Sequence, residues 1–532
     1  MKEIEFNLLD EPWVRVLLPD YRVEEVSLTK ALEHAHEYVD LAGELAAQDT
    51  AVLRLLLAVP LTVFLREDEE GNEAPLENAE EAIDRWKRLW EKGEFPQEPI
   101  RDYLERWRDR FWLFHPERPF WQVPEASLGT EYGAAKLNGE ISESSHKLRL
   151  FPSYAGKGKT ELSYGQAARW LLYINGFDDT SSKPKGKGLP SPGAGWLGKL
   201  GLIMAQGKNL FETLMLNLTL LKNGRELWEE PKPCWELAKP RTRERTEIVE
   251  PDNPAELLTL QSRRLLLYRN EGRVTGYRLL GGDFFNRENA FSEQMTVWRE
   301  NADKKNIALS TYTPKRHDAS KQFWREFPSI FMSDIKHRPG VVDWISALGL
   351  DQFVHFRIAS VAYGDKDFFV TDTFSDALTF HASLLDEMSR DWQVRIRTEI
   401  ANVEKTASYL EYLAKDLAMA AGGNEKSRFG SPREQFYYQI DQPFREWLAS
   451  IDEDSDPVKM QLEWQEKARS LAFQIGRSLA LQAGPGAFTG RAFKKKGKKD
   501  EEEFYYSAPK AFNVFYFRLN NIYKKEGYSG KE

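Results

Sequence analysis

Two glycine-containing fragments have the residue types and spacing of nucleotide-binding loops. Gly193–Gly198 matches G-x-G-x-x-G, whose glycines let the backbone approach a pyrophosphate when the loop follows a strand and opens a helix. Here a proline-rich loop precedes the glycines, and an apolar strand is predicted after them, near 199–205. Gly158-Lys159-Thr160 resembles the end of a phosphate-binding loop, but Ser153 stands where that loop requires its first glycine. We therefore expect neither fragment to be a nucleotide site, although the lysines of the second could meet phosphates.

The histidines and the cysteine do not form a catalytic or metal-binding pattern. His34-Ala35-His36 and His317-Asp318 are isolated pairs among eight histidines scattered along the chain. A metal-dependent phosphohydrolase needs further His and Asp ligands at set positions, and residues two apart on a helix point in different directions. Cys234 is the only cysteine, which excludes internal disulfides and cysteine-rich zinc sites. We expect no enzymatic activity, no metal and no cofactor.

Length, composition and charge indicate a folded protein of at least two domains. A chain of 532 residues exceeds the size at which one core stops growing, and 41% hydrophobic with 13% aromatic residues suffices for packed cores. The net charge is -9, from 74 basic and 83 acidic side chains. Any contact with nucleic acid must therefore come from local basic loops, while the acidic remainder suppresses non-specific binding. The acidic balance taken alone would favour a protein-interaction role.

The sequence predicts no membrane segment. Residues 1–6 lack the basic and apolar pattern of a secretory signal. The most apolar stretch, Leu53 to Leu65, carries Arg54 and Pro60 and is too short to span a bilayer, so it is predicted to be a buried helix. We expect a cytoplasmic protein.

The predicted fold class is α+β, with a large mixed α/β N-terminal domain followed by a C-terminal antiparallel four-helix bundle. In the N-terminal domain, residues 1–383, the patterns predict a strand pair at 6–9 and 13–18 and hairpins around 263–300 and 355–370. Further segments with helical periodicity are 28–66, 79–93, 100–109 and 165–175. In the C-terminal domain, residues 384–532, the helices are predicted at 384–421, 431–453, 457–482 and 507–525.

Two segments resemble the large subunit of the type I-E CRISPR surveillance complex, Cascade (the CasA, Cse-type or Cas8-type family). They are Phe6-Asn7-Leu8-Leu9-Asp10-Glu11-Pro12-Trp13-Val14 and the more specific His115-Pro116-Glu117-Arg118-Pro119-Phe120-Trp121-Gln122. The order of loops that follows is also similar, so the resemblance covers essentially the whole chain. It implies a non-catalytic protein that recognises the protospacer-adjacent motif in double-stranded DNA, promotes duplex opening and R-loop formation, and recruits a helicase-nuclease. The protein would recognise the short motif, and base pairing with the guide RNA would recognise the rest of the target sequence.

The resemblance also implies which loops contact nucleic acid. Residues matching the loop that packs against the 5′ end of the CRISPR RNA and the DNA motif are Phe151, Pro152, Ser153, Lys157 and Lys159. The glycine loop, where the backbone would approach base edges, offers Gly186, Gly188, Gly193 and Gly195. Arg278 is the basic residue nearest to a minor-groove contact of the family. For each lysine taken alone, a solvated charged loop is an equal alternative.

Two further segments are assigned by the resemblance. The turn that matches the wedge inserted below the DNA motif contains Gly364, Asp365, Lys366, Asp367 and Phe368. Because phosphate would repel an acidic tip, Lys366 or Phe368 is the expected inserted residue. The residues predicted to bind the displaced strand are Lys494, Lys495, Lys496, Lys498 and Lys499. Asp500–Glu503 follow immediately, so self-neutralisation within a loop stays open.

The implied partners are the backbone and small subunits of Cascade, the 5′ end of the CRISPR RNA, double-stranded target DNA and a helicase-nuclease recruited in trans. No membrane is among them. Two alternatives remain: a nucleic-acid hydrolase with dispersed carboxylate ligands, and a purely structural assembly subunit.

Overall fold

A computed structural model of the chain describes residues 4–137, 154–180, 191–245, 247–248, 253–302, 310–424, 426–427, 429–452, 454–494 and 503–523. The chain divides into two compact units. The first consists of Met1–Phe323, Ile335–Leu350 and Val354–Leu378, and the second consists of Trp324–Asp334, Asp351–Phe353 and Thr379–Glu532. The main part of the second unit thus begins at Thr379, close to the predicted boundary after residue 383, and two short earlier segments also belong to it.

Short strands alternate with helices along the chain, which confirms the mixed α/β character. The strands are β1 (Glu5–Asn7), β2 (Val14–Leu17), β3 (Val23–Val26), β4 (Asp40–Leu41), β5 (Trp112–Phe114), β6 (Thr130–Gly133), β7 (Ile203–Gln206), β8 (Glu247–Ile248), β9 (Arg263–Asn270), β10 (Arg273–Gly281), β11 (Phe284–Phe285), β12 (Trp298–Asn301), β13 (Thr311–Pro314), β14 (Phe353–Tyr363), β15 (Val370–His381), β16 (Arg491–Lys494) and β17 (Glu503–Tyr506). The helices are α1 (Leu28–Glu33), α2 (Ala46–Arg66), α3 (Ala79–Lys92), α4 (Gln97–Arg106), α5 (Ala134–Leu137), α6 (Lys157–Thr160), α7 (Tyr164–Phe177), α8 (Leu210–Asn217), α9 (Pro254–Leu258), α10 (Phe327–Ile330), α11 (Gly340–Leu348), α12 (Arg390–Ala420), α13 (Pro432–Ala449), α14 (Pro457–Gln482), α15 (Gly484–Thr489) and α16 (Ala508–Ile522).

The strands form several small sheets. The orders of the three-stranded sheets are β3-β2-β4, β6-β10-β9 and β15-β14-β7, and β1 pairs with β5. The two predicted hairpins are confirmed as β9–β10 and β14–β15. The predicted pairing of the first two strands is wrong, because β1 and β2 join different sheets. The continuous helix predicted over 28–66 is also wrong, since the short strand β4 lies between α1 and α2.

Helix α2 is the central helix of the first unit. By length and composition alone it could cross a membrane, but 94% of its most apolar window is buried in the fold, as in the core of a folded domain. The predicted buried helix is therefore confirmed, although it is longer than Leu53–Leu65. Its one buried charge, Arg54, pairs with Glu293 through two contacts of 2.8 and 2.9 Å. Trp196 donates a further hydrogen bond of 2.8 Å to the same carboxylate.

Buried residues of the two segments that carry the family resemblance hold the fold together. Trp13 is fully buried, and its indole donates to the carbonyl of Leu8. Gln122 donates to the carbonyl of Leu113 at 2.7 Å and accepts from the amide of Leu267 at 2.9 Å, so it joins β5 to β9. Such buried side-chain hydrogen bonds require these residue types at these positions, because a buried amide without a hydrogen-bond partner destabilises the fold.

The second unit contains the four long helices that the sequence predicts, with ends within a few residues of the expected ones. Helix α12 contacts α13, α14 and α16, and α14 also contacts α13 and α16. The apolar side chains of α13 at helical spacing, Phe436, Ile440, Phe444 and Trp447, are buried. The ring of Phe444 meets Trp464 of α14 edge-on at 5.0 Å, and Trp447 stacks on Trp464 at 5.3 Å. The hairpin β16–β17 was not predicted. It interrupts the connection between α14 and α16, and the lysine run begins at Lys494, the last residue of β16.

We expect Glu293→Gln to destabilise the protein by about 3 kcal/mol, because it leaves the guanidinium of Arg54 buried without a counter-charge. Burial alone would raise the pKa of Glu293, but Arg54 and the hydrogen bonds from Trp196 and Met295 hold that pKa below its usual 4.5. The carboxylate therefore stabilises the fold fully above pH 4.5, and this contribution is lost as pH falls through the lower folded pKa.

Denaturant unfolding followed by tryptophan fluorescence, at pH 7 and at decreasing pH, measures this effect. The matched control is Glu288→Gln, which changes an exposed carboxylate of the same unit. A stability of the Glu293→Gln protein equal to that of the control at pH 7 would contradict the assignment of a stabilising buried pair.

Candidate nucleic-acid interface

The turn between β14 and β15 has a backbone conformation that non-glycine residues rarely adopt. Lys366 and Asp367 have φ angles of 56° and 59°, and Phe369 has a φ of 60°. Each such residue costs of order 1 kcal/mol or more and persists only where its surroundings hold it. Strain of this kind clusters at sites where a turn must present its side chains in one geometry.

Contacts from two distant parts of the first unit hold this turn. Arg316 forms a bidentate pair with the carboxylate of Asp367 at 2.6 and 2.9 Å. Thr180, just after α7, donates its amide to the carbonyl of Asp367 at 3.1 Å and its hydroxyl to the carbonyl of Lys366 at 2.9 Å. The carboxylate of Asp367 is therefore paired with a guanidinium, whereas the side chains of Asp365, Lys366 and Phe368 are exposed, the last by 44%.

The described part of the glycine loop packs beside the same turn. Arg316 also donates to the carbonyl of Gly198 at 2.6 Å, and its guanidinium lies 4.9 Å from the ring centre of Tyr363. Tyr363 in turn donates its hydroxyl to the carbonyl of Phe177 at 2.6 Å. A methyl group on Gly198 would overlap the hydroxyl oxygen of Tyr363. The glycine is required here for close packing of loop and hairpin.

The G-x-G-x-x-G fragment does not have the context of a dinucleotide site, as expected. A 3-10 turn at Leu197–Lys199 and then strand β7 follow it, where a dinucleotide site has a helix. Gly193 has a φ of +62°, so this position favours glycine for its backbone. Its carbonyl accepts a hydrogen bond of 2.6 Å from Arg263, which also pairs with Asp178 at 2.6 Å.

Gly195, one of the glycines predicted to contact DNA, lies in close contact with helix α7. Gly195 is buried, and its amide donates to the carbonyl of Asp178 at 2.8 Å. A Cβ atom at this position would overlap the carbonyl oxygen of Gly176 in α7. The absence of a side chain thus allows the loop and the helix to touch each other.

A half-buried lysine lies among arginines at this junction. Burial lowers the pKa of Lys199 to about 8, and the positive charges of nearby guanidiniums act in the same direction. These guanidiniums belong to Arg263, Arg287, Arg245 and Arg316. Lys199 therefore carries its charge below pH 8 and loses it above, in a part of the first unit where positive charge is concentrated.

The remaining predicted contacts are less closely associated with the turn. Lys157 and Lys159 lie on the short helix α6, the former exposed. Arg278 of β10 pairs with Glu131 at 2.7 Å and donates to the carbonyl of Ser127, so the protein already uses much of its guanidinium. Phe151, Pro152, Ser153, Gly186, Gly188, Lys495, Lys496, Lys498 and Lys499 lie outside the described residues. The backbone of Lys494 ends β16, opposite Glu503.

Sequence patterns did not identify three residues that assemble this site, Thr180, Arg263 and Arg316, whereas Tyr363 begins the Tyr-Gly turn that the family resemblance assigns to the wedge. Each of the three is separated from its contacts by dozens to nearly two hundred positions, and none belongs to a short motif. The only available signal was the Tyr-Gly turn itself. Within the described ranges, no group of three or more His, Cys, Asp or Glu residues is placed to hold a metal ion. His34 and His36 instead both lie beside Glu37.

Comparison with known proteins identifies a consistent set of relatives. The sequence matches the family described as CRISPR-associated protein Cse1 over residues 7–475. It is 27% identical over 513 residues to the CRISPR-associated protein CasA/Cse1 of Thermus thermophilus, covering 91% of this chain and 94% of that protein. The structure is similar to Thermobifida fusca Cse1, with a TM-score of 0.82, 26% identity and 98% coverage of both chains. A chain of a CRISPR RNA-guided surveillance complex shares the fold, with a TM-score of 0.66, 15% identity, and coverage of 97% and 99%.

We expect Gly195→Ala to lower the free energy of unfolding by about 2 kcal/mol, because the added methyl group overpacks the contact between the loop and α7. Chemical denaturation measures the change. Gly158→Ala is the matched control, since no atom lies within 4 Å of the position that its added methyl group would occupy and it lies in a helix. Equal stability of the two variants would show that Gly195 is not needed for packing.

We expect the ammonium of Lys199 to titrate with a midpoint near pH 8 rather than near its usual pKa of 10.5, because burial and the adjacent guanidiniums disfavour its charge. Nuclear magnetic resonance of ¹³C-methylated lysines reports each ammonium separately, and the signal missing from the Lys199→Arg protein belongs to Lys199. A Lys199 signal that titrates near pH 10.5 would refute the burial of this charge.

Proposed function

Because the chain belongs to the CRISPR-associated protein Cse1 family, we propose that it is the non-catalytic large subunit of a type I-E Cascade complex. In this role it recognises the protospacer-adjacent motif in double-stranded DNA and promotes duplex opening into an R-loop. It then recruits the helicase-nuclease that degrades the target. It acts in the cytoplasm, together with the backbone and small subunits and the 5′ end of the CRISPR RNA.

The observation that carries this proposal is the braced turn between β14 and β15. Lys366 and Phe368 are exposed on a backbone that Arg316 and Thr180 hold in a strained conformation. A wedge must keep its shape when it meets a stacked duplex, and a turn fixed before binding loses little conformational freedom on binding. An ordinary hairpin turn needs neither the strain nor the bracing.

The chemistry of the turn suits entry into a duplex from the minor groove. The ammonium of Lys366 can donate to the acceptor atoms of the groove or to a phosphate, and Phe368 can unstack a base step. Because Arg316 neutralises Asp367, that carboxylate does not repel the DNA backbone. A·T and T·A pairs present the same acceptors in the minor groove, so this reading tolerates several related motifs.

The glycine and lysine loops would extend the same contact. Gly193 adopts a backbone conformation that favours glycine. In this proposal the backbone at Gly186, Gly188 and Gly193 approaches the edges of the bases. In this proposal Phe151–Ser153 meet the 5′ end of the CRISPR RNA, and Lys157 and Lys159 meet phosphates. Arg278 contributes only if it exchanges its internal pair with Glu131 for a phosphate.

The second unit would serve the displaced strand and the neighbouring subunits. We propose that its four long helices form an antiparallel bundle that docks the small subunits. The run Lys494–Lys499 joins the two strands of the hairpin β16–β17. Several cations so close together suit the backbone of a single strand, and their contribution falls steeply as salt concentration rises.

The test is binding of the assembled guide complex, with and without this chain, to duplexes that differ only in the flanking motif. We expect tight binding to need both the chain and the correct motif. Lys366→Ala should weaken binding of the correct duplex about tenfold, which is the effect of losing one charge-assisted hydrogen bond. It should also lower the slope of log affinity against log salt concentration by about one, because one phosphate contact is lost. Phe368→Ala should slow strand opening more than it weakens initial binding.

Lys87→Ala is the matched control, since it removes an exposed lysine from α3 of the same unit. Binding that is the same without the chain would leave only the structural assembly role. Binding that needs the chain but not Lys366 would move the recognition site away from this turn. Metal-dependent cleavage by the purified chain would favour the hydrolase alternative.

A further inference from the structure

A second site in the first unit has the chemistry of an anion-binding pocket. Three arginines, Arg110, Arg118 and Arg241, line one pocket that is partly open to solvent. None of the described residues that line it is acidic. The pocket lies against the His115–Gln122 segment, whose Arg118 takes no part in the packing contacts of that motif.

The protein does not neutralise these three guanidiniums fully. Arg118 makes no hydrogen bond or ion pair with any described residue through its side chain, and Arg110 donates to the carbonyl of Leu237 at 3.2 Å. Arg241 lies 3.2 Å from Asp283, but that carboxylate also pairs with Arg264. Burial lowers the pKa of Arg110, and the positive charge of Arg118, which lines the same pocket, acts in the same direction. The pocket therefore carries an excess of positive charge.

The floor of the pocket supplies no compensating charge. Cys234 lines it, and burial raises the pKa of the thiol to about 12, so the sulfur is neutral. Trp121 also lines it, and the indole Nε1 of this residue is buried without a hydrogen-bond partner in the described part of the chain. An acceptor bound beside this indole would satisfy the donor.

We propose that the pocket formed by Arg110, Arg118 and Arg241 binds a phosphate group. Guanidiniums are planar forks that bind phosphate oxygens in pairs, and three forks around one pocket match the several acceptor oxygens of a tetrahedral anion. A carboxylate has two oxygens in one plane and a single charge, so it satisfies one fork and leaves the others unpaired. The phosphate is either a backbone phosphate of RNA or a free phosphate ion. This site goes beyond the proposed DNA recognition and does not depend on it.

Isothermal titration calorimetry of the full chain with inorganic phosphate, at constant ionic strength in chloride, tests the proposal. We expect saturable binding at one site. Arg118→Gln should weaken it at least about tenfold, because one charge-assisted pair is lost, and Arg118→Lys should restore part of the affinity. Since Arg118 has no side-chain partner among the described residues, its replacement should leave the melting temperature unchanged. Arg106→Gln, which changes an exposed arginine at the end of α4, is the matched control and should bind as the native chain does.

Competition distinguishes the two sources of phosphate. A short single-stranded RNA with hydroxyl termini should displace inorganic phosphate if the ligand is a backbone phosphate, and failure to displace it assigns the site to free phosphate. Three results would overturn the proposal: no saturable binding of phosphate, an equal loss of phosphate affinity in Arg118→Gln and Arg106→Gln, or binding of acetate as tight as that of phosphate. None of these results affects motif-dependent binding of DNA, so failure here is separate from failure of the proposed function.

Discussion

The guanidinium of Arg316 is the contact on which the candidate interface depends. It pairs with the carboxylate of Asp367, donates to the carbonyl of Gly198, and lies over the ring of Tyr363. One side chain can do this because arginine carries five donors in a rigid plane. It thereby joins a strained hairpin turn to the glycine loop, and it removes from the tip a negative charge that would oppose nucleic acid.

Several arginines of the first unit are internal cross-links. Arg54, Arg169 and Arg263 are nearly fully buried, and each pairs with a carboxylate and with backbone carbonyls. A count of basic residues along the sequence therefore says little about where the surface is positive. The exposed cation at the turn, Lys366, and the guanidinium of Arg118, which pairs with no described side chain, differ from these arginines because the protein leaves them available to a ligand.

Glycine has two different physical uses within one short segment. Gly193 adopts a positive φ, and its carbonyl is held by Arg263, whereas Gly195 and Gly198 are required because another part of the chain touches them. Both uses require the same residue type, so the sequence alone does not distinguish them. Only the positions of α7 and Tyr363 separate a glycine that packs internally from one that a ligand could approach.

The sequence by itself determined the mixed α/β character, the two β-hairpins, the long helices of the second unit and the family, because these follow from local periodicity, turn residues and short motifs. It also located the turn at Gly364–Phe368. Tertiary structure alone decided which strands pair outside the two hairpins and that Gly195 is buried. It alone also brought Thr180 and Arg316 to the turn. The physical reason is that these properties arise from contacts between residues far apart in the chain, which no local pattern encodes.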